Sequence, residues 1–472
     1  MKKTLPLLLC LPLLLALTGD EGYNIKIRIK GLKDTVCFFG HYYADKQYVR
    51  DTARVDGSGN MVFSGKDALP GGIYLVVLPS KKYFEVIIDK QQHFSMETDT
   101  ADLPGKMKVK NSDDNTLFYS YMAFINEKAK EVEPLKKKME AAKNKDSVAY
   151  YQKQLAKVDE DVKNYKLSYI KDHPETFLAK VFKASQDPVV PKDLPKLPNG
   201  KPDSAFPFRY YKAHYFDNVD LSDDRLLRTP IVYNKIKYYL DKLTMQVPDS
   251  IIKEADMLIA RTQGNKEMFK YLVYYCTYNY ETSSIMGMDA VFVHMAEKYY
   301  MTGQAYWTDS ATLAKITSKA VILKPLLIGK PAPKLTLPDT LGNMVPLYGV
   351  ASKYTVLIFW DPDCGHCKKV VPKLKAFYDK YRSKNVKVYA VNIEGNHKEW
   401  KKYIRENKLD WINTCNVTEK SEHYYLLKQL YDVYSTPVIY LLDENKKIIA
   451  KRIDPDNLPD IIERHSKNLP GK

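Results

Sequence analysis

Tyr354-Thr-Val-Leu-Ile-Phe-Trp360 is followed by Asp361-Pro362-Asp363, then by Cys364-Gly365-His366-Cys367 and a lysine-rich helical pattern. The β-branched and aromatic run predicts a strand, and the pattern after Cys367 predicts a helix. A Cys-x-x-Cys pair between a strand and a helix has a physical reason to be redox-active. The first sulfur sits at the helix N-terminus, where free backbone N–H groups and the helix dipole stabilise a thiolate. The second lies one turn along, close enough to close a disulfide. His366 can add positive charge or a hydrogen bond to the Cys364 thiolate. The competing reading is half of a structural zinc site. Such a site needs four protein ligands, and no second Cys-x-x-Cys or His-x-x-x-His completes it. Neither a metal nor a cofactor is expected.

Outward from this stretch, Val386 to Ile393 reads as the next strand, and Thr436-Pro437 precedes another at Val438 to Leu442. Strands alternating with helices imply βαβ units and a largely parallel sheet. A boundary falls near Leu323 to Gly329. Far upstream, Asn24-Ile-Lys-Ile-Arg-Ile-Lys30 alternates strictly, as a half-buried strand does. Further strand-like runs are Val36 to Tyr43, Tyr48 to Val55, Met61 to Ser64, Ile73 to Leu78, Tyr83 to Ile88 and His93 to Thr98. Turn residues such as Asp56-Gly57-Ser58-Gly59-Asn60 and Pro70-Gly71-Gly72 separate them, which predicts a small antiparallel sandwich or barrel. His41 and His93 stand alone and carry no site.

Between these regions the pattern is mostly helical. Val132, Leu135, Met139 and Ala142, then Val148, Tyr151, Leu155, Val158, Val162 and Tyr165, recur at helical spacing and predict a helical hairpin. Asp146 or Ser147 is expected to cap its second helix. Pro188 to Pro207 reads as a loop. Helical patterns resume over Asp224 to Leu243 and Ser250 to Tyr300, including the tyrosine-rich Tyr271 to Tyr280 run, which reads equally as a surface for a ligand or peptide and as buried packing, with Cys276 as a buried small hydrophobe.

The chain has 472 residues, enough for about three domains. Its net charge of +16 comes from lysines spread along the chain, with no basic-aromatic module. That excludes a nucleic-acid partner and suits solubility or contact with an anionic surface. At the start, Lys2 and Lys3, the apolar run Leu5 to Leu17, and the small residues Ala16, Thr18 and Gly19 read as a secretory signal peptide over residues 1–19. The run is shorter than the roughly 18 residues needed to span a bilayer. An exported protein, soluble in the periplasm or cell envelope after signal cleavage, is expected. If Cys10 leaves with the signal, five cysteines remain, an odd number with only Cys364 and Cys367 close together. That pattern is one dedicated redox pair plus idle thiols, Cys415 among them.

From Gly329 onward the chain resembles the TlpA/ResA-like thiol-disulfide oxidoreductases of the thioredoxin superfamily. The resemblance rests on Gly329-Lys-Pro-Ala-Pro333 with Leu335, Leu337, Asp339 and Gly342, on Trp360 before the Cys364-Gly365-His366-Cys367 loop, on Pro372 five residues past Cys367, and on Thr436-Pro437. It implies a cis Pro437 beside the disulfide, touching substrate backbone. It also implies protein thiols and disulfides as partners, with a membrane or periplasmic thiol as electron donor. The Gly-His dipeptide is that of protein disulfide isomerases, so reduction and isomerisation both stand. Two departures concern proton transfer: the carboxylate positions of relatives hold Ile358 and Val370, leaving Glu394 or solvent to serve Cys367. A peroxiredoxin would need a proline and a threonine where Leu357 and Asp361 stand. The expectation is thus a multidomain protein: signal 1–19, a β-rich accessory domain over 20–110, a helical accessory domain over 111–325, and a thioredoxin-like α/β domain over 326–472. The alternative function is an envelope binding or scaffold protein in which that last domain is a redox-gated interaction module.

Overall fold

The computed structural model describes residues 22–262, 264–393, 397–416 and 422–467. The expected signal peptide lies outside the described residues. The chain divides into two compact units, one ending at Leu243 and the other beginning at Thr244. The helices of the expected 111–325 region are therefore shared between them.

The first unit begins with eight strands: β1 (Tyr23–Lys30), β2 (Thr35–Tyr43), β3 (Lys46–Val55), β4 (Asn60–Gly65), β5 (Gly72–Val77), β6 (Tyr83–Ile88), β7 (His93–Asp99) and β8 (Lys108–Lys110). They form two open four-stranded sheets, ordered β4-β1-β7-β8 and β3-β2-β5-β6. Neither closes into a barrel, and β1 pairs with β7 in parallel, so the sandwich is not wholly antiparallel. The alternation of β1 does what it predicts, burying Ile25, Ile27 and Ile29 while the lysines and Arg28 face out. Phe63 of one sheet stacks on Phe39 of the other at 4.9 Å, joining the two inner faces.

Helices α1 (Asp113–Ala141) and α2 (Lys145–Asp172) form the expected hairpin. The cap of α2 is Asn144, not Asp146 or Ser147. Asn144 has extended backbone and its side-chain oxygen accepts the Ser147 N–H at 2.7 Å, which places the two expected residues inside the first turn. The Pro188–Pro207 segment is irregular up to α4 (Phe206–Ala213), and α3 (Phe177–Ala184) precedes it. The expected Asp224–Leu243 helix is three pieces: a 3₁₀ turn, α5 (Ile231–Tyr238) and a π turn at its end. Pro230 stands at the first break, where a continuous helix would lose a hydrogen bond.

Among the contacts that tie the helices of this unit to its sheets, one imitates strand pairing. The fully buried Asn115 accepts the Ile87 N–H at 2.8 Å and donates to the Ile87 carbonyl at 2.7 Å, so it pairs β6 as another strand would. Asn115→Ala leaves both backbone groups of Ile87 buried and unpaired, at roughly 1–3 kcal/mol each. The full chain with this substitution should lose about 3 kcal/mol of stability, read as a lowered urea midpoint in far-UV circular dichroism. An unchanged midpoint would contradict the pairing role.

The second unit opens with four helices, α6 (Pro248–Ala260), α7 (Lys266–Glu281), α8 (Asp289–Met295) and α9 (Ser310–Leu323). Cys276 is fully buried in α7. A small hairpin follows, β9 (Thr336–Pro338) with β10 (Met344–Pro346). Then come β11 (Tyr354–Trp360), α10 (Cys367–Tyr381), β12 (Val386–Asn392), α11 (His397–Glu406), β13 (Ile412–Cys415), α12 (Glu422–Leu430), β14 (Val438–Leu442), β15 (Ile448–Lys451) and α13 (Leu458–Lys467). The five-stranded sheet runs β13-β12-β11-β14-β15. It is mixed rather than largely parallel: β11, β12 and β13 are parallel, while β14 is antiparallel to both β11 and β15. The short turn between β14 and β15, where Asp443 accepts the Asn445 and Lys447 N–H groups, permits only an antiparallel pair. Every residue of β11 is buried, as a central strand covered on both faces requires. The helices join this sheet through Lys451 on β15, which is buried, pairs with Asp289 of α8 and donates to the Leu326 carbonyl at 2.7 Å.

Candidate active site

The geometry of the Cys364 loop follows from the sheet. β11 ends at Trp360, and because β14 runs antiparallel to it, Phe359 faces Val438. The loop after β11 and the Thr436-Pro437 segment before β14 therefore meet at one end of the sheet's strands. The Thr436–Pro437 peptide is cis. The Cys364 thiol donates to the Thr436 carbonyl at 3.4 Å, and the Cys367 N–H donates to the Cys364 sulfur at 3.4 Å. Helix α10 begins at Cys367, with His366 as its N-cap residue and Pro372 inside it.

The two thiols differ sharply. Cys364 is half-buried, whereas Cys367 is buried in the core with Trp360, Val370 and Val371. Partial desolvation pushes Cys364 up, but hydrogen bonds from the Thr436 side chain and the Cys367 N–H outweigh it, and the thiol sits below its ordinary value. Burial pushes Cys367 up to about 12. The thiolate of Cys364 stabilises the reduced fold above the unfolded value, and that contribution is lost as pH falls through the depressed folded value.

The other expected residues divide. Trp360 lies in the core beneath the loop, 1% exposed. Gly365 and His366 are exposed, and the His366 carbonyl accepts from Lys369 and Val370. Glu394 falls outside the described residues. Asp361 accepts the Asp363 N–H at 2.9 Å through its side chain and the Cys364 N–H through its carbonyl, which is the work of a loop cap. Ile358 and Val370 are apolar and buried. Cys415, expected to lack a close partner, lies buried with its sulfur 3.7 Å from His397 Nδ1, and burial holds it at about 11. Among the described residues no cluster of His, Cys, Asp or Glu could hold a metal ion, and no helix is long and apolar enough to cross a membrane.

One neighbour was absent from the sequence reading. Tyr403 of α11 packs its ring on Trp360, centroids 5.3 Å apart, against the core that contains Cys367. Its signal was available in α11, where Trp400 and Tyr403 share a face at i, i+3. A search confined to carboxylates passes over it.

The sequence profile of the AhpC/TSA family matches residues 328–451. This domain belongs to that family. Upstream, two domains of unknown function match, DUF4369 over residues 23–118 and DUF5106 over residues 170–322. The thiol-disulfide oxidoreductase ResA of Bacillus cereus is 26% identical over 126 residues, which is 27% of this chain and 69% of that one. The sporulation thiol-disulfide oxidoreductase A of Bacillus subtilis is 34% identical over 104 residues, 21% of this chain and 59% of that one. A crystallised domain of a "possible thiol-disulfide isomerase" from Cytophaga hutchinsonii is 46% identical, covering 31% of this chain and 99% of that domain, with a TM-score of 0.29. The chain is accordingly an enzyme of the thiol-disulfide oxidoreductase class, with thioredoxin-like, ResA-type chemistry and accessory domains ahead of it.

The asymmetry of the thiols in this oxidoreductase has a direct consequence. Iodoacetamide should label Cys364 first in the reduced, folded chain, with a rate midpoint below the ordinary 9.0. Cys37, Cys276, Cys367 and Cys415, all buried, should resist until denaturant is added, as peptide mass mapping would read. Preferential labelling of Cys367 would reverse the assignment of the attacking sulfur.

Proposed function

We propose that this chain is an extracytoplasmic oxidoreductase that reduces protein disulfides through the Cys364–Cys367 dithiol. The observation that carries the reading is the pairing of an accessible, acidified Cys364 with a buried Cys367 kept protonated beside it. The first can attack a foreign disulfide, and the second is withheld until that attack has been made.

In the forward direction the Cys364 thiolate attacks one sulfur of a substrate disulfide, and the other leaves as a thiolate that takes up a proton from solvent. Cys367 then loses its proton and attacks Cys364 Sγ. The second substrate sulfur leaves, and the Cys364–Cys367 disulfide forms. Two electrons pass from the enzyme dithiol to the substrate. A membrane or periplasmic thiol donor returns them. The cis Thr436–Pro437 peptide lies where a substrate strand would run past Cys364, because the Thr436 carbonyl already meets that sulfur. The extracytoplasmic site of action rests on the basic, apolar and small-residue pattern of residues 1–19.

The resemblance to the TlpA/ResA-like proteins leans towards reduction, while Gly365-His366 leans towards oxidation or isomerisation. The reduction potential of the pair, measured against glutathione, separates them. A value near −270 mV supports reduction, and one between about −120 and −180 mV moves the enzyme to oxidation or isomerisation. Absence of a reversible couple removes the enzymatic reading. Cys367→Ala should accumulate mixed disulfides through Cys364, visible as reductant-sensitive higher-mass bands. A variant that traps none across a range of redox buffers would count against the two-step scheme.

A further inference from the structure

The edge strand of the thioredoxin-like sheet lines a cleft that the dithiol chemistry does not use. β15 pairs with β14 on one side only. On its other side, before and at Ile448, the segment from Gly329 to Ala332 supplies backbone partners. At Lys451 the cover is different. The Lys451 N–H donates to the thioether sulfur of Met286, at 3.5 Å, in the loop between α7 and α8. A thioether is a weak acceptor. Lys451 is buried, so this N–H gains when a carbonyl takes the place of the sulfur.

The cleft, of about 440 Å³, lies between that loop and the end of β15, and it reaches Asp432. Its charged groups are matched. Glu281 pairs with Lys319 at 2.8 Å, Asp289 with Lys451, and Asp432 with Arg452. None of these is left over to hold a small ion. What stands unmatched is the edge N–H and two exposed apolar side chains, Ile285 at 46% and Met286 at 43%. An edge donor beside an apolar shelf suits an added strand, whose main chain gives affinity and whose side chains give specificity.

The position of the cleft names the strand. β15 runs antiparallel to β14, as β14 does to β11, so Lys451 stands level with Tyr440 and Leu357, and the chain after it heads for the end of the sheet where Cys364 lies. Arg452 follows: its N–H donates to the Ile439 carbonyl at 2.7 Å, and its guanidinium donates to the Asp432 carbonyl at 2.9 Å. One wall of the cleft is therefore the start of the segment that carries Thr436 and Pro437. β15 is two strands from β11. At the spacing of paired strands that is roughly 10 Å, which an extended chain covers in about three residues.

We propose that this cleft receives the substrate polypeptide as an added strand, a substrate carbonyl taking the Lys451 N–H from Met286 and an apolar substrate side chain resting on Ile285. This rests on the dithiol reading given above. The loop between α7 and α8 is then a specificity-determining element of the enzyme, although it lies outside the thioredoxin-like domain. The substrate class is a protein with an extended, apolar segment about three residues from its reacting cysteine.

The test uses the full chain with Cys367→Ala, which holds the mixed disulfide. Two probes are compared. One is glutathione disulfide, too short to reach the cleft. The other is the symmetric disulfide of a synthetic peptide with a central cysteine and leucines about three residues to either side. Adduct formation on Cys364 is timed by mass spectrometry. Ile285→Asp should lower the ratio of the peptide rate to the glutathione rate roughly tenfold or more, the worth of burying one leucine side chain. In the peptide adduct, set against the glutathione adduct, exchange of the Lys451 amide hydrogen should slow about tenfold or more. That measurement needs no substitution in the cleft, so it decides the matter if Ile285→Asp folds poorly. An unchanged rate ratio in folded Ile285→Asp would overturn the assignment, whether both rates hold or both fall by one factor. So would equal Lys451 exchange in the two adducts. If instead the unsubstituted chain shows no reversible Cys364–Cys367 couple, it is the dithiol reading that falls, and the occupant of the cleft with it.

Discussion

The antiparallel pairing of β11 with β14 is the constraint on which the active site depends. Its register sets Phe359 against Val438, so two segments more than seventy residues apart in sequence come together at the same end of the sheet. One carries Cys364 and the other carries Thr436 and Pro437. Shifting that register by one residue would turn each inward side chain of β14 outward and would carry Thr436 away from the Cys364 sulfur. The Thr436 side-chain hydrogen bond that helps to acidify Cys364 is therefore a product of strand pairing, whereas the Cys367 N–H bond belongs to the Cys-Gly-His-Cys motif itself. The full burial of β11 is what makes the register specific.

Much of this was legible from residues alone, and the reasons are local. The strand β6 was read as Tyr83 to Ile88 and β14 as Val438 to Leu442, and both stand at those bounds, because turn residues punctuate each end. The Cys364–Cys367 loop was legible because strand, loop and helix follow one another without interruption. What escaped depended on partners distant in sequence or on competition between neighbours. The antiparallel β14–β15 pair was missed by counting alternation without weighing the short turn between them. Asn144 was passed over as a cap because two other good capping residues followed it, and only backbone conformation decides among them. Tyr403 lies on another helix and belongs to a residue type that a search for carboxylates does not visit.

The helices of the second unit are more than a neighbour to the thioredoxin-like sheet. Lys451 stands on β15 and is satisfied by Asp289 and the Leu326 carbonyl, so the sheet's edge strand carries a buried cation whose counter-charge comes from α8. Removing one partner of such a buried pair costs about 3–5 kcal/mol, because it strands the other charge. The compact boundary at Leu243 and Thr244 has this physical content: α6 to α9 complete the fold of the domain that follows them.

Burial of the three remaining described cysteines has a bearing on chemical lifetime. Cys37, Cys276 and Cys415 are held as poorly acidic thiols chiefly by desolvation, at about 11, about 12 and about 11. In an unfolded chain each would return to the ordinary range and be open to oxidation. A protein that handles disulfides for others would then meet its own mispairing hazard at every local opening. Its resistance to scrambling under oxidising conditions is accordingly set by how seldom those three packed regions open, and a destabilising substitution near any of them would shorten the working life of the enzyme without touching its active site.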